Sequence, residues 1–271
     1  MKFADLHLHT TYSDSTFSPG ELFREAVSNG IAAIGIVDHD TVQGLEVSAA
    51  LSGDAGVELI PGIELTTQYA GMEIHILGYL IDYKNPQLLE RLDLFKKTRI
   101  ERVYKIVAKL KEEGVILDPQ KVLAMAPEGT VGRMHIARVM VNEGVVNSVP
   151  MAFKKYIGDK CRAYVLGFQL SPAQAIGLIK EVGGVAVLAH PYCIQNDAIL
   201  FEIIEVGIMG LEVYYPEHTQ GMVNFYLEVA KKHNLLVTGG SDCHGNAKPD
   251  IKVGTVKIPY DLVERLKEAT P

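Results

Sequence analysis

Six of the nine histidines in this 271-residue sequence sit at or near the ends of short apolar runs, most with a carboxylate beside them. The runs are DLHLHTTYSD (5–14), IGIVDHD (34–40), LIPGIE (59–64), MEIHILGY (72–79), GVAVLAHP (184–191) and LLVTGGSDCHG (235–245). Side chains alternate across an extended strand, so Asp5, His7 and His9 share one face of the first run while Leu6 and Leu8 line the other. The leucines can enter a core, but the opposite face then brings two imidazoles to one point. Unpaired buried charge is expensive. A fold that buries these runs must therefore gather their polar ends at one place and supply compensating charge there.

The connections between the runs are helical. SPGELFREAVSNG opens with Ser18-Pro19 and closes at Gly30, the usual start and stop signals. TVQGLEVSAALS, PAQAIGLIKEVG, MVNFYLEVAKKHN and YDLVERLKEA follow other runs, and strands alternating with helices are the pattern of an α/β fold with a parallel sheet. ELIPGIELTTQ and MEIHILGYL are close enough to neighbour each other around Tyr69-Ala70-Gly71. Between residues 85 and 164 the strands stop, and Ile100, Val103, Val107 and Leu110 mark a helical stripe. The expected architecture is a distorted β/α barrel over 1–84 and 165–271 with a helical insertion over 85–164. An open doubly wound sheet is the alternative. In barrels of this kind the C-terminal strand ends form the mouth where chemistry is done.

Each polar residue also has an ordinary explanation. His75 between two isoleucines can be a core histidine, Asp38 or Asp40 can cap the helix that follows, Glu64 can bond to backbone, and Asp14 can start a turn. Their joint occurrence on successive strands favours metal binding. The motifs DLHLHTTYSD, VDHD, GIE, the histidine of EIHILGY, AHP and GSDCHG, in this order, resemble those of the PHP family, the polymerase and histidinol phosphatase phosphoesterases. The resemblance implies a distorted seven-stranded barrel and a centre of two or three divalent ions. It implies ligands at His7, His9, Asp14, His39, Glu64, His75, His190, Asp242 and His244. Glu64 would bridge two ions, with His7, His9 and Asp242 on one, His75 and His190 on its partner, and Asp14, His39 and His244 on a third. A donor set of nitrogens and carboxylates without thiolate suits Mn, Fe or Zn. Attack by a metal-bridging hydroxide is then the expected reaction, with Asp38 or Asp40 orienting His39.

Within the insertion, VGRMHIARVM places Arg133, His135 and Arg138 near a helix start, where a phosphate could bind; the alternative is a solvated helix face. The stretch resembles the arginine- and histidine-bearing segment of the branch acting on 3′,5′-nucleoside bisphosphates and on RNA from its 5′ end. Arg99 and Arg102 are weaker candidates, which otherwise read as surface residues. The expected substrate is thus a small nucleotide with two phosphates, and short RNA as a further one. Rivals are a histidinol-phosphate phosphatase, an amidohydrolase-type enzyme and an inactive metal-binding regulatory module. The net charge of −7 argues against a broad nucleic-acid-coating face. Three scattered cysteines, with no signal-peptide pattern and no apolar run near the roughly 18 residues of a membrane span, point to the cytoplasm. No obligate protein partner is evident.

Overall fold

The computed structural model describes residues 2–167 and 170–270. Met1, Phe168, Gln169 and Pro271, which the sequence reading assigns to the barrel, lie outside the described residues. In chain order the elements are β1 (Phe3–Leu8), α1 (Pro19–Ser28), β2 (Ala33–Ile36), α2 (Leu45–Ala55), β3 (Glu58–Tyr69) and β4 (Met72–Tyr79). Then come α3 (Pro86–Glu112), α4 (Pro119–Leu123), α5 (Arg133–Asn142), α6 (Val149–Ala152), α7 (Pro172–Glu181) and β5 (Val185–Leu188). The chain ends with α8 (Asp197–Glu205), β6 (Gly210–Tyr214), α9 (Gln220–Lys232), β7 (Leu236–Gly239), β8 (Ile258–Pro259) and α10 (Asp261–Glu268). The strands form one sheet in the order β7-β6-β5-β4-β3-β2-β1-β8.

The sheet curls into a nearly closed barrel. The chain just after β7 meets β1: Asp242 N donates to His7 O (2.8 Å) and His9 N to Cys243 O (3.2 Å). Gly240 makes the seam possible, because a Cβ there would stand 2.3 Å from His7 N. Strand β8 is two residues long and flanks β1 antiparallel outside the closure, an eighth strand beside the seven expected.

The sheet is mixed rather than parallel throughout. Ala70 and Gly71 both have positive φ (50° and 78°), the backbone of a tight hairpin turn, so β4 runs back against β3. β5 is antiparallel to β4 in turn, and the remaining barrel pairs are parallel. The reversal explains two sequence features. His75 lies in the first half of β4 because that half is at the mouth, and Glu64 is mid-strand because β3 continues past the barrel into the hairpin.

Helix α3 crosses two cores. Leu88, Leu92 and Phe95 pack in the barrel core, whereas Val103, Ile106, Val107 and Leu110 pack with Val122, Ile136, Ala137, Val139 and Met140 of α4 and α5 in a separate cluster. The helical segment thus carries its own apolar centre, and α3 runs from that centre into the barrel core.

Candidate metal centre

Glu64 stands at the middle of the mouth, 1 % exposed. Its Oε1 lies 2.8 Å from His75 Nδ1 and 3.1 Å from His190 Nε2. Its Oε2 lies 3.4 Å from His7 Nε2, 3.2 Å from His9 Nε2 and 3.2 Å from His39 Nδ1. Asp242 Oδ1 faces His9 Nε2 at 3.1 Å and His7 Nε2 at 3.5 Å. Asp14 faces His244 Nε2 at 3.1 Å and His39 Nε2 at 3.8 Å. All nine residues expected at the centre are therefore in one pocket. Burial works against charge on Glu64, yet the imidazoles of His39, His75 and His7 hold its carboxyl well below the usual range.

The donor set fits divalent cations. His244 Nδ1 is 2.8 Å from the Asp242 carbonyl, which can only accept, so the hydrogen-bond network assigns the ring proton to Nδ1 and turns the bare Nε2 toward Asp14. His7 Nδ1 likewise donates to Glu212 Oε1 at 2.8 Å, turning its Nε2 lone pair toward His9 Nε2 at 3.2 Å. Lone pairs facing lone pairs repel unless positive charge lies between them. Asp14 Oδ1 and His39 Nδ1 are moreover buried without a hydrogen bond. Donor atoms lying within 4.8 Å of one another form three groups: His7, His9 and Asp242; His39, Glu64 and His75; and His9, Asp14, His39 and His244. The first group is the set expected for one ion, and the last contains the expected Asp14, His39 and His244. The differences are that His39 also joins Glu64 and His75, that His9 also joins the Asp14 group, and that His190 belongs to none of the three while meeting Glu64 Oε1 at 3.1 Å.

Backbone strain is concentrated here. Asp40, His190 and Asp242 have φ of 50°, 27° and 54°, a region that non-glycine residues rarely enter.

Residues 5–130 match the PHP domain family. A 5′-3′ exoribonuclease of Haemophilus influenzae is 33% identical over 247 residues, covering 89% of each chain. The chain belongs to the PHP family. A 3′,5′-nucleoside bisphosphate phosphatase of Chromobacterium violaceum is 30% identical over 257 residues, covering 92% of this chain and 90% of the relative. A solved structure from Bifidobacterium adolescentis, assigned as a metal-dependent phosphoesterase, superposes with a TM-score of 0.89 at 30% identity over 97% of this chain and 94% of that one. This PHP protein is a metal-dependent phosphoesterase with an α/β barrel. No helix among the described residues is long and apolar enough to cross a membrane.

Other expected roles need correction. Asp38 does not touch the His39 ring. It accepts from Thr10 N (2.7 Å), Thr10 Oγ1 (2.6 Å) and Ser13 Oγ (2.5 Å), and Ser13 Oγ in turn lies 3.5 Å from His9 Nδ1. Asp38 therefore shapes the loop beneath His9. Asp40 accepts from Thr66 N and from Arg99. Neither aspartate caps α2, whose N-cap is Gly44. Arg99 and Arg102 are not surface residues. Arg99 holds Asp40, Thr66 Oγ1 and the Val131 carbonyl, and Arg102 holds Glu73 and the Val165 carbonyl. Arg133 is paired with Glu73 and Asp159. Arg138 has no hydrogen bond or ion pair among the described residues, and it stands close enough to Asp14 to feel its charge.

His135 is 1 % exposed and accepts from Gly132 N at 3.0 Å. Burial, against the pull of Asp14 and with Arg138 and Arg99 adding to it, pushes its pKa down to about 4. A lowered folded-state pKa means that the unfolded chain binds the extra proton first. Stability is then full above about pH 6.5 and falls toward pH 4 by up to about 1.4 kcal/mol per unit from this group. His135→Gln is expected to flatten the difference between urea midpoints at pH 7 and pH 5; an unchanged difference would contradict the assignment.

Sequence reasoning missed Glu212, Glu73, Tyr215 and Lys248. Glu212, fully buried in β6, accepts from His7 Nδ1 and from His190 N (2.8 Å). Its signal was available: a lone carboxylate inside the apolar run GLEVYY. Tyr215 Oη (2.7 Å) and Lys248 Nζ (2.6 Å) both donate to Asp242 Oδ2, which leaves Oδ1 for the pocket. Glu212→Gln is expected to weaken metal affinity about 10- to 100-fold, read by competition with a chelator. Wild-type affinity in that variant would remove Glu212 from the support of His7.

Proposed function

We propose that this PHP phosphoesterase releases phosphate from a small nucleotide carrying two phosphates, such as adenosine 3′,5′-bisphosphate, and also degrades short 5′-phosphorylated RNA. The observation that carries the reading is the pairing of a nine-donor pocket around Glu64 with a guanidinium, Arg138, that has no ion pair among the described residues and stands within electrostatic reach of Asp14. The names of the Haemophilus and Chromobacterium relatives support it.

In this reading His7, His9, Asp14, His39, Glu64, His75, His190, Asp242 and His244 hold two or three divalent ions, of Mn, Fe or Zn. Such ions, when bound, acidify a water and neutralise phosphate oxygens. Glu212 fixes the tautomer of His7 so that its Nε2 faces inward. Tyr215 and Lys248 hold Asp242 in one orientation. Arg138 takes the second phosphate, with the buried, neutral His135 within reach of its charge, and Arg99, Arg102 and Arg133 hold the insertion in place through Asp40 and Glu73.

The test combines elemental analysis with phosphate release from adenosine 3′,5′-bisphosphate, AMP, histidinol phosphate and a short 5′-phosphorylated RNA. The bisphosphate is expected to give the highest kcat/KM, and Arg138→Ala to raise its KM by about tenfold. Preference for histidinol phosphate would overturn the substrate assignment. Absence of turnover with every metal would point instead to an inactive metal-binding module.

A further inference from the structure

We propose that Tyr192 is the stacking surface for the nucleobase of the substrate; this rests on the nucleotide reading above. Tyr192 lies two residues beyond His190, on the short turn Pro191–Ile194. That turn is held at both ends by left-handed backbone, His190 (φ 27°) before it and Gln195 (φ 49°) after it. The backbone that carries Tyr192 is thereby set directly after His190, at the end of β5.

The neighbours of the Tyr192 ring are π systems. Tyr215 packs against it at 5.6 Å between centroids with planes 33° apart, and His218 meets it edge-on at 5.5 Å and 80°. The cluster continues from His218 to Tyr226 at 5.0 Å and from Tyr215 to His190 at 5.4 Å. Tyr215 and Tyr226 are 7 % and 6 % exposed, whereas Tyr192 keeps part of its surface open to solvent. A series of rings thus leads outward from a metal-site histidine and ends in a partly open aromatic face.

Charge decides which part of the substrate belongs there. Besides the neighbouring Cys193, the groups whose charge reaches Tyr192 and Tyr215 are the carboxylates Glu217 and Asp242, the latter paired with Lys248. A second phosphate would be repelled on this side, whereas the insertion side offers Arg138. A neutral, flat, π-rich group suits the tyrosine, and nucleobases stack on aromatic side chains with little dependence on sequence. The reacting phosphate would then lie between an anion site on the insertion and a base site on the β5–β6 side.

The experiment measures kcat/KM of wild type, Y192A, Y192L and Y192F on two substrates, adenosine 3′,5′-bisphosphate and an abasic sugar carrying the same two phosphates. The preference for the nucleotide over the abasic compound is expected to fall about tenfold in Y192A. It should stay low in Y192L, which restores bulk without a π face, and return in Y192F. Thermal melts check that each variant is folded. Equal losses on both substrates, or an unchanged preference in Y192A, overturn the inference. Failure of the underlying reading looks different: wild type then turns over neither nucleotide nor RNA, and the inference falls with it.

Discussion

Glu64→Gln is expected to empty the centre of most of its metal and to lower phosphate release by on the order of 10³-fold. The substitution keeps the shape of the side chain but removes the one charge that faces His7, His9, His39, His75 and His190 together. Its amide NH₂ would also point at ring nitrogens that the wild-type carboxylate leaves free for cations. The loss should exceed that from Glu212→Gln, because Glu212 touches the pocket only through His7 and the His190 backbone. Elemental analysis after dialysis and phosphate release at saturating metal make the comparison. Full metal occupancy with ordinary turnover in Glu64→Gln would rule out Glu64 as the shared ligand.

Arg99→Ala should destabilise the protein by about 3 kcal/mol or more, because the substitution strands Asp40 as a buried, unpaired carboxylate. Asp40 Oδ2 receives Arg99 Nε at 2.8 Å and Nη2 at 2.6 Å, and the two side chains are 6 % and 13 % exposed. The pair also joins the insertion to the barrel, since Arg99 is on α3 and Asp40 follows β2. For a chain of this size the melting temperature should drop by roughly 10 °C. Arg99→Lys should recover only part of the loss, since an ammonium cannot reproduce the guanidinium's simultaneous contacts to Asp40, Thr66 and Val131. A melting temperature within a degree of wild type in Arg99→Ala would show that Asp40 has another partner.

The barrel and the ring of site residues were legible because both depend on short-range pattern. Alternation in DLHLHT fixes which side chains face inward, and strand-helix alternation fixes the fold class. The helical character of the stretch between β4 and β5 was legible from the stripe at Ile100, Val103, Val107 and Leu110. Three things were hidden. The reversal of β4 depends on two positive φ values at Ala70 and Gly71, so pattern alone placed the two strands side by side without their direction, and His75 taken by itself between isoleucines could equally be a core residue. The partners of the arginines depend on how α3 lies over the barrel: Arg99 and Arg102 are on a helix face that sequence alone presents to solvent. Asp38 next to His39 in the chain suggested support for that ring, but their side chains diverge, and Asp38 supports the Thr10–Ser13 loop instead.

The seam beside Gly240 links positions far apart in the sequence, including Ser241 N donating to Asp5 Oδ1 across 236 residues. Contacts of such separation form late, after most loop-closure entropy has been overcome. During synthesis, a ribosome-bound chain would present His7 and His9 long before Asp242 and His244 emerge. A chain interrupted before residue 242 would lack both Asp242 and His244, and with them two of the nine donors proposed for the centre.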